Sequence, residues 1–113
     1  MTIADKNFLE NLTEIIDSRI HDASLSSDKL AAEFCVTPRH FNRCVNAVTG
    51  MNTTLYIRRR RIVKACELLK ETSLAISEIY VKCGIESANY FSRVFKAEMG
   101  MTPTAYRRHQ QKH

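Results

Sequence analysis

The chain repeats itself. At an offset of 50 residues, Phe41, Arg43, Ala47, Gly50, Met51, Thr54, Tyr56 and Arg58 recur as Phe91, Arg93, Ala97, Gly100, Met101, Thr104, Tyr106 and Arg108. That is eight identities over the eighteen positions 41–58, far above chance. Self-similarity at a fixed spacing marks a duplicated structural unit. At 113 residues, both copies must fit within one domain, or within two very small ones sharing a core. Only three glycines and two prolines occur, too little turn punctuation for a sandwich or barrel, so the expected class is all-α.

Apolar periodicity and caps place the helices. Phe8, Leu9, Leu12, Ile15, Ile16 and Ile20 recur at the helical period and predict a first helix over about 5–21, with Asp5 and Asn7 available as caps. Ser26, Ser27 and Asp28 can cap a second over about 27–35. Thr37 before Pro38 predicts a third over about 38–49, stopped by Gly50. A long basic helix over about 53–71 follows, with Leu55, Ile62, Ala65, Cys66 and Leu69 as its apolar stripe. The pattern then returns: a short helix at about 75–83, a turn at Gly84, a helix at about 88–99 capped by Ser87 and ended by Gly100, and a last helix from Thr102-Pro103 to about 110. The tail from His109 is expected to fray. Each copy is thus two short helices across a tight turn, which resembles a helix-turn-helix. The expected organisation is 1–52 (first helix and first helix-turn-helix), 53–71 (linking helix) and 72–113 (second helix-turn-helix and terminal helix).

Charge is segregated. Residues 1–33 carry seven acids and three bases, 34–66 carry seven bases and no acid, and 67–113 carry five acids and seven bases. A run of 33 residues without a carboxylate creates a one-signed field suited to a polyanion, whereas a merely solvated surface mixes signs.

The repeat also places polar chemistry. In the first copy Phe41, Val45 and Val48 share one helix face, leaving Arg39, Asn42, Arg43 and Asn46 on the other. In the second, Phe91, Val94 and Phe95 face inward, opposite Asn89, Ser92, Arg93 and Lys96. Neither outward quartet contains a carboxylate. Arg can pair with the guanine edge and Asn with the adenine edge, so both faces suit the DNA major groove. A linking helix of about 19 residues spans roughly 28 Å. Major-groove segments on one side of B-DNA lie about 34 Å apart, so such a helix suits two readers on one duplex. Within the run Arg58 to Arg61, two side chains are expected to meet phosphate; the others would pair with Glu10, Glu14 or Glu67 or stay solvated.

Gly84-Ile85-Glu86-Ser87, Asn89 to Lys96, Gly100-Met101-Thr102-Pro103 and Tyr106-Arg107 together resemble the signature of the AraC/XylS transcription regulators. Leu30-Ala31 and Arg61-Ile62 with Ala65 resemble it too, and the likeness covers about residues 6–109. The resemblance implies a seven-helix domain with two helix-turn-helix subdomains joined by a long central helix. It implies binding to double-stranded promoter DNA and recruitment of RNA polymerase in a bacterial cytoplasm. Carried onto this chain, base reading falls to Arg39, Asn42, Arg43 and Asn46, and to Ala88, Asn89, Ser92 and Arg93. Phosphate contacts are expected at Thr37, His40, Arg58, Arg61, Ser87 and Lys96. Three positions depart from the pattern: Cys35 replaces the usual turn glycine, Ile85 a usual Phe, and Tyr80 a small residue where two helices cross. Tyr80 is expected either to shift a helix or to turn its ring to the edge.

Nothing points to an enzyme, a cofactor or a metal. No phosphate loop, catalytic triad spacing or paired carboxylates stand out, and His21, His40, His109 and His113 are scattered. Cys35, Cys44, Cys66 and Cys83 lack the spacing of a zinc clip and are expected to be reduced core residues. No apolar run is long enough to span a membrane, and no signal peptide is visible. The expected protein is a monomeric DNA-binding domain, either a small stand-alone regulator or the excised C-terminal part of a larger one; a start so close to the first helix favours excision, from a sensor-coupled parent that could dimerise. The competing reading is a basic helical module docking an acidic protein partner.

Overall fold

Equivalent caps open the two central helices of the repeat. The Thr37 hydroxyl accepts from the His40 N–H at 3.2 Å, and the Ser87 hydroxyl from the Tyr90 N–H at 3.2 Å. Both helices close on a left-handed glycine, Gly50 at φ 75° and Gly100 at φ 76°. In the computed structural model, which describes residues 2–111, seven α-helices and no strand are present among the described residues. They are α1 (Ile3–Ser18), α2 (Ser27–Glu33), α3 (Pro38–Thr49), α4 (Thr53–Glu71), α5 (Ile76–Lys82), α6 (Ala88–Met99) and α7 (Pro103–Gln111).

α1 departs most from the sequence expectation. It begins two residues early because Thr2 and Asp5 form a capping box, with the Thr2 N–H donating to the Asp5 carboxylate and the Asp5 N–H to the Thr2 hydroxyl. It ends at Ser18 rather than near 21: Arg19 leaves helical geometry at φ −118°, ψ 17°, and the Ile20 and Asp22 carbonyls beyond it accept from Arg61. At the other terminus, residues 109–111 are helical rather than frayed; Lys112 and His113 lie outside the described residues.

The chain divides into two compact units. The first holds residues up to Arg19 together with Ser24–Arg60; the second holds Ile20–Ala23 and the residues from Arg61 onward. In the first, Leu12 and Ile16 of α1, Leu30 and Ala31 of α2, Phe41 and Val45 of α3 and Ile57 of α4 are buried. Phe8, Phe34 and Phe41 form a triad of rings, with centroids 5.3 Å apart for Phe34–Phe41 and 5.4 Å for Phe8–Phe34. In the second, Ile62, Ala65 and Leu69 pack with Ile79, Cys83, Ile85, Phe91, Val94 and Phe95. Burying each of the Val, Leu, Ile and Phe side chains contributes about 1.5–3 kcal/mol, so the apolar stripes orient α3 and α6 within their own units. No helix of the described residues is long and apolar enough to cross a membrane.

Candidate nucleic-acid interface

With Phe41 and Val45 buried, α3 turns Arg39, His40, Arg43 and Asn46 to the exterior, where all four are exposed. Thr37, its N-cap, is exposed as well. α6 does the same: Phe91, Val94 and Phe95 are buried, while Ala88, Asn89, Ser92, Arg93 and Lys96 are exposed beside the exposed cap Ser87. The Arg93 guanidinium carbon lies 5.6 Å from the centre of the Tyr90 ring, a cation–π distance that restrains one long side chain. His40, at the position equivalent to Tyr90, instead brings its Nε2 to 3.6 Å from the Cys44 thiol.

Asn42 does not join this exposed face. Its Oδ1 accepts from the Thr53 hydroxyl at 2.5 Å, the Thr53 N–H at 3.3 Å and the Ser27 hydroxyl at 3.2 Å. Its Nδ2 donates to the Pro38 carbonyl at 3.1 Å. Asn42, half-buried, thus has its amide oxygen engaged within the protein, a role that the expected place among the base readers does not include. Helical spacing placed it with Arg39 and Arg43 because spacing reports direction, not partners.

The arginine run separates into different roles. Arg61 is 7% exposed, and the expectation of a phosphate contact there is overturned. Its Nη1 donates to the carbonyls of Ile20 at 2.5 Å and Cys83 at 2.7 Å, and its Nη2 to Asp22 at 3.0 Å. Burial lowers its pKa. Arg60 forms a two-pronged ion pair with Asp17, a carboxylate other than those expected for the run, at 2.9 and 2.7 Å. Arg58 is half-buried and Arg59 exposed. Arg107 resembles Arg61: its guanidinium donates to the carbonyls of Leu69, Leu74 and Thr72 at 3.1, 2.6 and 3.2 Å.

The turns before α3 and α6 share one hydrogen-bond pattern. The Val36 N–H donates to the Ala31 carbonyl and Cys35 N–H to Ala32; likewise Ile85 to Tyr80 and Gly84 to Val81. This is the Schellman arrangement, which requires a left-handed residue at its centre. Gly84 meets that at φ 75°, and Cys35 meets it at φ 58°, the only non-glycine with positive φ among the described residues. Cys35 is exposed, and Cys44 and Cys66 are half-buried. Only Cys83 is a core thiol, so the expectation of four core cysteines holds at one position. The turn carries Cys35 out of the core, because the left-handed residue projects at the helix end. Tyr80, equivalent to the buried Ala31, keeps its ring half-buried at the core's margin, its centroid 5.8 Å from that of Phe91. The ring lies at the edge, one of the two outcomes expected for it.

Comparison with known proteins agrees with this geometry. A family profile described as a helix-turn-helix domain matches residues 30–109. The HTH-type transcriptional activator RhaR of Enterobacter sp. (strain 638) is 38% identical over 93 residues, covering 79% of this chain and 33% of that protein. The chain thus spans about a third of the length of the curated relatives it matches. Among solved structures, the C-terminal domain of AraT, a response regulator from Geobacillus stearothermophilus, aligns with a TM-score of 0.82 at 30% identity, over 88% of this chain and 82% of its own. A transcriptional regulator from Chromobacterium violaceum, described as having an AraC-type DNA-binding domain, aligns with a TM-score of 0.87 at 25% identity over 96% of each chain.

Proposed function

Since the chain belongs to the AraC/XylS family of transcription regulators, as a sequence-specific DNA-binding domain and not an enzyme, we propose that α3 and α6 each read one of two successive major-groove segments of a promoter. One observation carries this reading: two equivalent helices of an internal repeat each expose a polar face without a carboxylate, while burying their aromatic faces. Arg39, Arg43 and Asn46 read the first segment; Asn89, Ser92 and Arg93 read the second, where Ala88 offers only a methyl contact. Arginine offers two parallel donors to guanine, and asparagine a donor and an acceptor to adenine. Thr37 and Ser87 at the helix starts, with His40, Arg58 and Lys96, hold the phosphates on either side.

The domain serves as the output end of a longer, sensor-coupled regulator that recruits RNA polymerase, and is monomeric by itself. Its likeness to the C-terminal domain of a response regulator and to part of a longer activator supports the place in a longer regulator.

Selection from a random duplex pool at moderate salt tests the proposal. Two preferred blocks about one helical turn apart are expected. A single block would remove one helix from the reading. Absence of enrichment, with binding to an acidic protein retained, would replace DNA by a protein partner.

A further inference from the structure

We propose that Asn42 and Thr53 form a clasp that sets how α3 is presented to DNA, so that preference at the first segment depends on a residue pair that makes no base contact. The inference rests on the reading of α3 as a DNA-reading helix. Thr53 is the first residue of α4 and is 0% exposed. A buried N–H and a buried hydroxyl each need an acceptor, since an unsatisfied buried donor is costly. The Asn42 carboxamide oxygen accepts from both, at 3.3 and 2.5 Å, and also from Ser27 at the start of α2. One oxygen thus ties the middle of α3 to the first turns of α2 and α4. The Asn42 Nδ2 donor returns to Pro38 on the same helix, which fixes the amide's orientation. On the exposed face, Arg39, Arg43 and Asn46 flank Asn42 along α3, and any roll of the helix moves all three together.

The second copy supplies an internal control. Position 53 corresponds to Pro103 and position 42 to Ser92. Pro103 is buried too but has neither an N–H nor a hydroxyl, and Ser92 is exposed. Where the buried donors are absent, the acceptor amide is absent. Asn42 is therefore the acceptor that Thr53 requires, a positioning residue for the first reading helix.

The test compares selected binding sites and thermal melts of the full chain with those of Thr53→Val, Thr53→Ser, Asn42→Ala and the double variant Asn42→Ser with Thr53→Pro. The double variant transplants the second copy's solution, and proline is suited to the first helical position. Thr53→Val should lose about fivefold preference across the whole first block, the scale of a lost hydrogen bond, with the second block unchanged. Thr53→Ser should match the wild type. Asn42→Ala should resemble Thr53→Val, and the double variant should regain both its melting temperature and its first-block preference. If Thr53→Val proves unfolded, Thr53→Ser and the double variant still decide the matter. A wild-type profile from Thr53→Val, or uniform weakening of both blocks, overturns the clasp. So does a double variant that melts normally yet has lost one base pair, since that makes Asn42 a base reader. A wild-type chain that enriches no sequence overturns the DNA reading, and the inference with it.

Discussion

Gly84 leaves open the space that the Arg61 guanidinium occupies. A Cβ at Gly84 would overlap Arg61 Nη1 and the Ile20 carbonyl oxygen, and would lie 2.8 Å from Arg61 Cζ. Neither neighbour can yield, because one is backbone and the other is held by three carbonyl hydrogen bonds. Gly84→Ala is therefore expected to destabilise by about 3 kcal/mol or more. The left-handed backbone contributes roughly 1–2 kcal/mol, and displaced hydrogen bonds the remainder. Gly50→Ala and Gly100→Ala, which meet no atom within 4 Å, should incur the backbone cost alone. Urea midpoints of the three variants, set side by side, check the difference.

Arg61 and Arg58 should separate in salt. Arg61→Ala leaves three carbonyl oxygens without their donor and is expected to cost roughly 3 kcal/mol of stability. Lysine, a point charge without the planar fork, should restore little. The variant protein that remains folded should keep the wild-type salt dependence of DNA binding. Arg58→Ala should instead flatten the log–log salt slope by about 0.9, one phosphate contact. Equal slopes for Arg58→Ala and the wild type would remove Arg58 from the phosphate set.

Cys35 is held at φ 58° with its side chain exposed and its thiol 4.0 Å from the Glu33 carbonyl oxygen, so glycine at this position loses only one weak contact. Relief of left-handed strain, about 1–2 kcal/mol, outweighs the added freedom of the unfolded glycine, about 0.5–1 kcal/mol. Cys35→Gly is expected to stabilise by roughly 0.5–1 kcal/mol, read as a higher urea midpoint at unchanged slope. A lower midpoint would show that the thiol makes a contact worth more than the strain.

The Cys83 thiol is pushed from 9.0 up to about 11, mainly by desolvation, with the Lys64 and Arg61 charges pulling the other way. In the unfolded chain this thiol ionises first, so the folded state binds more protons between those values. The stability it contributes is complete below about pH 9 and is lost as pH rises toward 11. Burial raises Cys66 and Tyr106 in the same sense. Cys83→Ala should give a shallower alkaline decline in urea midpoint between pH 8 and 10, despite a lower midpoint at neutrality from the lost volume. An identical decline would assign the alkaline loss to other groups.

Arg43 and Arg93 stand at equivalent positions of the repeat and are both exposed. Replacing either with alanine should cost about 1–3 kcal/mol on the best site and relax preference in one block only. Tyr90→Leu should reproduce part of the Arg93→Ala effect, because the ring 5.6 Å from the guanidinium limits its rotamers. Competition binding with block-by-block altered duplexes measures this. Uniform weakening on every sequence would reassign both arginines to phosphate.

The sequence alone determined the element order and the two faces of the repeat. Thr37-Pro38, Ser87, Gly50 and Gly100 define helix ends through bonds three or four residues long, and Phe41, Val45, Phe91, Val94 and Phe95 define buried faces through a 3.6-residue period. Both are local physics, legible in local pattern. The tertiary structure decided what the polar residues do. Asn42 bonds a residue 11 positions away, Arg60 one 43 away, and Arg61 a carbonyl 41 away. The partners of Arg61 and Arg107 are backbone carbonyls, which every residue carries, so no choice of amino acid at those positions announces them. A polar side chain's period says which way it points; only folding brings up the group that takes its proton or its charge. That is why Asn42 and Arg61, indistinguishable in pattern from Arg43 and Arg58, take partners within the protein.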